Sequence, residues 1–129
     1  MLFLVVGISS TINAQIKTPQ PSPFSKIEQV VGLTDVSLEY SRPAMRGRTI
    51  FGDLVPYGKL WRTGANARTK VTFSDDVTVG GKTLKAGSYA IFTIPQATNW
   101  DVIFYTEHAG GGAPQELDES KVAARATVD

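Results

Sequence analysis

The sequence predicts an all-β fold: an antiparallel β-sandwich, or a jelly-roll-like open barrel, of about seven strands. Short runs of residues alternate between polar and apolar side chains, as half-buried strands do. A pair of glycines, Gly80 and Gly81, separates two of these runs. No window of about eleven residues has the apolar spacing of an α-helix.

The first predicted strands lie before and after the two glycines. Residues 37–41, 70–73 and 76–79 alternate polar and apolar side chains. Gly80 and Gly81 accept the positive φ angles of a type I′ turn. We therefore expect a hairpin that joins residues 77–79 to residues 82–84.

The second half of the chain predicts a central strand and two further strands. Residues 88–94 carry apolar side chains on both faces, which is typical of a strand covered on both sides, and Pro95 ends the run. Residues 100–105 and 122–128 complete the predicted strands. The only helical element expected is a single turn at residues 50–55, before Pro56.

Length and composition indicate one exported domain. The 129 residues are 42% hydrophobic and 19% charged, which suits a single globular unit. Residues 1–14 predict a secretory signal peptide cleaved before Gln15, so we expect a secreted or periplasmic protein with no transmembrane span after cleavage. Residues 15–23 predict a proline-rich linker, and residues 24–129 a single β-sandwich domain. Because the chain stops directly after a strand-like run, we expect this domain to be truncated at its C-terminus.

The charge is unevenly distributed. Residues 42–70 contain seven Lys or Arg against one acid, whereas residues 71–129 contain four bases against eight acids. Nucleic-acid-binding domains are usually basic throughout and carry a recognisable module, and neither is present here. We therefore expect no nucleic-acid partner.

Residues 40–66, YSRPAMRGRTIFGDLVPYGKLWRTGAN, form the most unusual segment and are called the connector below. Arginine forks match carboxylates, phosphates and sugar hydroxyls, and neighbouring aromatic rings offer a face for stacking. Gly64 and Asn66 both tolerate left-handed backbone, so a turn here can bring polar side chains together. The candidate ligand-binding residues are Arg42, Arg46, Arg48, Tyr57, Trp61, Arg62, Thr63 and Asn66.

Three functions remain open for the connector. It binds a small anionic or polyhydroxylated ligand, or an envelope protein, without catalysis. Alternatively, it belongs to an extracytoplasmic hydrolase or lyase that uses an acid such as Asp53 beside the arginines. In the third case it is purely architectural: its apolar residues fill the core, its arginines bond loop carbonyls, and the protein acts in an assembly.

The sequence predicts no catalytic residue, metal site or cofactor. There is no cysteine, and His108 is the only histidine. No G-x-S-x-G elbow is present to activate a serine. The acids near His108 lack a recognised metal-ligand spacing.

The connector, together with VTVGGKTLKAGSYAIFTIP and NWDVIFY, resembles a bacterial family catalogued as domain of unknown function 2911. The resemblance covers most of the chain after the predicted signal peptide. It implies a secreted or periplasmic protein with a mostly β fold and no established activity. Members of that family look longer at the C-terminus.

Overall fold

A computed structural model describes residues 15–129; the predicted signal peptide, residues 1–14, lies outside them. The described chain forms a six-stranded antiparallel sheet in the order β1-β2-β3-β6-β7-β8 and a two-stranded sheet, β4-β5. The strands are β1 (Phe24–Val31), β2 (Thr34–Ser41), β3 (Ala65–Phe73), β4 (Val77–Val79), β5 (Lys82–Leu84), β6 (Gly87–Pro95), β7 (Trp100–Tyr105) and β8 (Val122–Val128).

The prediction of an all-β antiparallel fold is confirmed. Residues 15–129 contain eight strands rather than about seven, and the large sheet is open, with β1 and β8 at its edges. The one helix of residues 15–129 is a 3₁₀ turn, Glu119–Lys121. Within the same residues, no helix is long and apolar enough to cross a membrane.

The β4-β5 hairpin covers one face of the large sheet. Its turn residues, Gly80 and Gly81, have φ angles of 56° and 76°, as a type I′ turn requires, so the predicted hairpin is confirmed. Leu84 of β5 is fully buried and packs in a core cluster with Val71, Tyr89 and Phe104. Apolar side chains at alternating positions of several strands thus form a core between the large sheet and the hairpin.

The connector and the loop between β7 and β8 cover the opposite face. Phe92 and Ile103 are fully buried there, and Leu60 of the connector and Leu117 of the loop pack against their cluster. Strand β6 contributes to both cores and lies between β3 and β7. The prediction that residues 88–94 form a central strand is therefore confirmed.

The helical turn expected at residues 50–55 does not form. The segment is a set of turns in which the Val55 N–H donates to the Ile50 carbonyl at 2.8 Å and Phe51 bridges Val55. Gly52 lies at a φ of 84°, which is outside the right-handed helical region. The left-handed glycine therefore interrupts a pattern whose apolar spacing alone suggested a helix.

Candidate functional site

The candidate site lies where β3 and β6 separate. These strands pair from Lys70 opposite Ala90 to Phe73 opposite Gly87. Farther along β6, Thr93 pairs with Trp61 of the connector instead, through N–H···O bonds of 2.8 and 2.9 Å. The end of the connector has therefore replaced β3 as the neighbour of β6.

A large bulge in β3 accompanies this separation. Opposite β2, the register passes from Glu39–Lys70 to Ser41–Ala65, so that Tyr40 alone lies opposite residues 66–69. The bulged part of β3 turns towards the β7-β8 loop, where Ala67 bridges Gly111. Bulges bend a strand and redirect its side chains, and they are frequent beside binding sites.

The connector, together with Ser22 and Ala113, lines a cleft of about 860 Å³. This volume is within the usual range for small-molecule sites, about 300–1,000 Å³. Six of the eight candidate residues line the cleft: Arg42, Arg48, Trp61, Arg62, Thr63 and Asn66. The two ends of the connector, distant in sequence, therefore share one cavity.

The other two candidate residues, Arg46 and Tyr57, do not line this cleft. Arg46 is exposed on a turn, at a φ of 51°. Tyr57 packs its ring over Gly52, where an added Cβ would lie 2.9 Å from the ring atom Cε2. The interpretation of these two residues as part of the same site therefore gains no support from their positions.

The cleft arginines differ in how they are bonded. Arg48 braces the connector, because its guanidinium donates to the carbonyls of Met45 at 3.0 Å and Ala44 at 2.9 Å. Arg62 Nε donates to the Gly64 carbonyl at 3.2 Å. Within residues 15–129, the arginine side chains that donate hydrogen bonds are Arg48, Arg62, Arg68 and Arg125. Arg42 is exposed and is not among these donors.

No carboxylate neutralises the cleft in the described part of the chain. Its lining contains three arginines and neither Asp nor Glu, and none of the salt bridges of residues 15–129 includes a cleft arginine. Asp53 is exposed and lies outside the lining. No three His, Asp or Glu side chains of these residues are grouped in a way that could hold a metal ion. The electrostatic character of the cleft is therefore positive.

Part of the backbone that lines the cleft is strained. The non-glycine residues with positive φ within residues 15–129 are Arg46, Thr63 and Asn66, at 51°, 59° and 56°. A β-branched residue such as threonine is rarely found there, and such strain persists only where the surroundings enforce it. All three residues belong to the connector, and two of them, Thr63 and Asn66, also line the cleft.

Buried hydroxyl groups hold Thr63 in this conformation. Its carbonyl accepts a hydrogen bond from Thr69 Oγ1 at 2.8 Å, and its own Oγ1 lies 3.0 Å from Thr93 Oγ1. Thr69 and Thr93 are each 4% exposed, and buried polar residues of this kind are informative because they are uncommon. Together they fix the orientation of the turn that carries Arg62 and Thr63.

Gly64 is required for close packing. The expected left-handed backbone occurs at Asn66, but Gly64 is not among the glycines with positive φ. A Cβ at Gly64 would lie 2.9 Å from Thr69 Oγ1 and 3.2 Å from the Ser41 carbonyl oxygen. Any side chain there would push the turn away from the sheet.

The apolar wall of the cleft is supported by an aromatic cluster. The ring of Trp61 lies edge-on to Phe51 and Trp100, with centroids 5.9 and 6.3 Å apart. Phe51 and Trp100 are 4.8 Å apart. Trp61 is half-buried and also lines the cleft, so one residue both packs in the fold and exposes part of its ring to the cavity.

Sequence reasoning missed Arg68, which holds the region together. Its Nε donates to the Gly112 carbonyl at 3.1 Å and its Nη1 to the Glu107 carbonyl at 2.7 Å. Its guanidinium also lies 5.5 Å from the centroid of the Phe92 ring. Arg68 was visible in the sequence as one of the basic residues of 42–70, but its partners lie far along the chain.

Comparison with known proteins gives one match. The model of a family described as protein of unknown function, DUF2911, matches residues 22–129. The chain belongs to the DUF2911 family. The matched residues include every strand and the whole connector, so the resemblance expected from the sequence is confirmed. No curated protein and no solved structure was matched.

Proposed function

We propose that this DUF2911 protein is a non-catalytic binding module whose cleft takes a small anionic ligand, such as an acidic or phosphorylated sugar. The observation that carries the proposal is the cleft lining: Arg42, Arg48 and Arg62 lie on one cavity, and no Asp or Glu of residues 15–129 lines it. Uncompensated arginines beside a partly apolar cavity attract an anion and provide planar donor pairs for it.

Arg42 and Arg62 are the principal ligand contacts. The Arg42 guanidinium donates no hydrogen bond within residues 15–129, so it is free to bind an anion. Arg62 Nε donates to the Gly64 carbonyl, and this hydrogen bond orients the side chain. The two terminal nitrogens of its guanidinium remain able to donate to a ligand. Arg48, by contrast, bonds two loop carbonyls, so its contribution is chiefly to shape the cleft.

The remaining lining defines the rest of the ligand. Trp61, Met45 and Leu54 present apolar surface, whereas Thr63 and Asn66 add polar groups. A charged head with a ring or hydrocarbon body fits this combination, as in a sugar acid, a sugar phosphate or an aromatic carboxylate. An uncharged sugar lacks the group that the arginines recognise.

Binding is proposed rather than catalysis because of where Asp53 lies. The hydrolase or lyase hypothesis requires an acid within hydrogen-bond reach of the arginine cluster. Asp53 is exposed and outside the cleft lining. The architectural hypothesis accounts for the bonds of Arg48, but it provides no role for the exposed Arg42.

A thermal-shift screen tests the proposal. The full chain is heated with glucuronate, glucose 6-phosphate, benzoate, citrate and inorganic phosphate, and with glucose as the uncharged control. We expect at least one organic anion to raise the melting temperature, because a ligand that binds the folded state stabilises it. Failure of every anion to do so would contradict the proposal.

Two matched arginine variants locate the site. Arg42→Ala should weaken the affinity for the active anion roughly tenfold or more, since charge-assisted hydrogen bonds contribute about 1.5–3 kcal/mol. Arg46→Ala removes the same charge from the same connector but outside the cleft, and should leave the affinity unchanged. Equal losses in the two variants would indicate general attraction of anions rather than a site.

We further propose that the protein acts outside the cytoplasm. This rests on residues 1–14, an uncharged apolar run followed by small polar residues. Expression of the full chain in a bacterial host, followed by N-terminal sequencing of the exported product, should give Gln15 as the first residue. A product that stays in the cytoplasm with residues 1–14 intact would contradict export.

A further inference from the structure

The outer edge of β1 is long, regular and unpaired within residues 15–129. β1 is eight residues long and lies at one end of the sheet. Its pairing with β2 is continuous from Phe24–Ser41 to Val31–Thr34, without a bulge. Natural proteins usually shorten or distort such an edge because it readily pairs with another strand.

Large apolar side chains are exposed along this strand. Phe24 is 65% exposed, Val30 60% and Ile27 50%. Seven of the eight β1 residues are exposed and the other, Ser25, is half-buried. Both faces of the strand are therefore open to solvent.

The backbone groups that point outward can be identified. The Arg42 N–H donates to the Pro23 carbonyl at 2.9 Å, so Pro23 directs its carbonyl inward, towards the chain that continues β2. In an antiparallel pair this direction alternates from one residue to the next. Because the register contains no shift, the residues whose N–H and C=O groups point outward are Phe24, Lys26, Glu28 and Val30.

The sequence of β1 is chemically symmetric about Ile27. In FSKIEQV, residues equally distant from Ile27 have complementary side chains: Phe24 matches Val30, Ser25 matches Gln29, and Lys26 matches Glu28. If two copies of β1 run antiparallel with a two-fold axis at Ile27, apolar, polar and oppositely charged residues each face their complement. The charged pair then occurs twice, once on each side of the axis.

The backbone agrees with this arrangement. In that register, Lys26 lies opposite Glu28 of the second copy and Phe24 opposite Val30, and these are the residues with outward hydrogen-bonding groups. Sliding one copy by two residues keeps the hydrogen bonds but sets Lys26 against Lys26, or Glu28 against Glu28, at the axis. Like charges directly opposite are unfavourable, so the side chains select one register.

We propose that β1 pairs with β1 of a second copy of this chain, so that the two large sheets join into one across a two-fold axis. The contact is isologous, as in most homodimers. In the single chain Lys26 Nζ lies 2.6 Å from Glu28 Oε1. In the dimer each of these side chains pairs across the axis, while Phe24 and Val30 cover one another.

Charge exchange on β1 tests the dimer. The full chain is studied by sedimentation equilibrium over a wide range of concentration, with circular dichroism to check the fold of each variant. Lys26→Glu and Glu28→Lys should each weaken the dimer at least about tenfold, because both symmetric positions change from opposite to like charges. The double variant K26E/E28K should dimerise like the native chain, since the complementarity is restored.

Mixing the two single variants separates this interface from a simple effect on the strand. In a mixed dimer, one chain carries two acids at these positions and the other carries two bases, so we expect K26E and E28K to associate with each other more strongly than either does alone. Lys82→Glu makes the same charge change on the exposed β5 and should leave the dimer intact.

Three results would overturn the proposal. The first is a native chain that remains monomeric at every concentration. The second is a native dimer on which K26E has no effect, which would mean that another surface, such as the β8 edge, forms the contact. The third is a mixture of K26E and E28K that fails to associate although the native chain does.

Discussion

The two faces of one sheet have different covers. The β4-β5 hairpin covers one face with short regular strands and buries Leu84 to 1% exposure. The connector covers the other with turns, leaves Leu54 at 54% exposure and encloses the cleft. The paired strands of the hairpin satisfy each other's backbone N–H and C=O groups. The irregular connector relies instead on buried hydroxyls and arginine side chains to bond its backbone. The same hydrogen bonds fix the positions of side chains that line the cleft.

A matched pair of leucine substitutions gives the largest expected contrast between the two covers. Leu84→Ala should lower the free energy of unfolding by about 2–5 kcal/mol, because it leaves a cavity in a closed core. Leu54→Ala should lower it by less than about 1 kcal/mol, because the side chain is already half in solvent. Urea denaturation monitored by tryptophan fluorescence measures both. Similar losses would mean that the connector packs as tightly as the hairpin.

Alanine substitutions at two glycines compare the packing of the strained turn with that of its surroundings. Gly64→Ala should cost about 1–3 kcal/mol, since the new methyl group meets Thr69 Oγ1 and the Ser41 carbonyl. Gly111→Ala adds the same methyl group where the nearest atom is 3.7 Å away, also at a residue without positive φ, and should change stability by no more than about 0.5 kcal/mol. Thermal denaturation of both variants provides the measurement. If Gly64→Ala is neutral, the turn is looser than its contacts indicate.

The base of the hairpin should give a smaller, pH-dependent effect. Hydrogen bonds from Lys85 Nζ and the Ala86 N–H lower the pKa of the Asp76 carboxyl below its ordinary 3.8. Because the folded pKa is depressed, the stabilisation is present above pH 3.8 and is lost as the pH falls through the lowered pKa. Asp76→Asn should therefore destabilise the chain slightly at pH 6 and reduce its loss of stability on acidification. Denaturant midpoints at pH 6 and in a series below pH 4 check this. An unchanged acid response in the variant would contradict it.

The contrast between the covers also explains what could be predicted from the sequence. The hairpin was predictable because Gly80 and Gly81 and the adjacent alternation are local signals, and β6 was recognisable from its two apolar faces. The bulge of β3 was not, because it depends on pairing with residues far away in sequence; only residues 70–73 of that strand were recognised. Strand β1, exposed on both faces, has no clean alternation and was not singled out.

The candidate site was predicted only in part, because local sequence signals identify its residues but not their directions. Composition identified the connector, and six of its eight candidate residues line one cleft. Arg46 and Tyr57 have the same chemistry but face elsewhere, since left-handed residues such as Arg46 and Gly52 redirect the chain. The strain at Thr63 had no signature in the sequence, because threonine carries no preference for positive φ.

The central claim is that a small anion binds between the two ends of the connector. Its most direct test is a titration of the full chain with glucuronate, and separately with inorganic phosphate, while the Nε–Hε signals of the arginine side chains are followed by NMR. We expect the Arg42 and Arg62 signals to shift together with one dissociation constant, while those of Arg46 and the braced Arg68 stay in place. Uniform small shifts at all arginines, or shifts confined to Arg46, would contradict it.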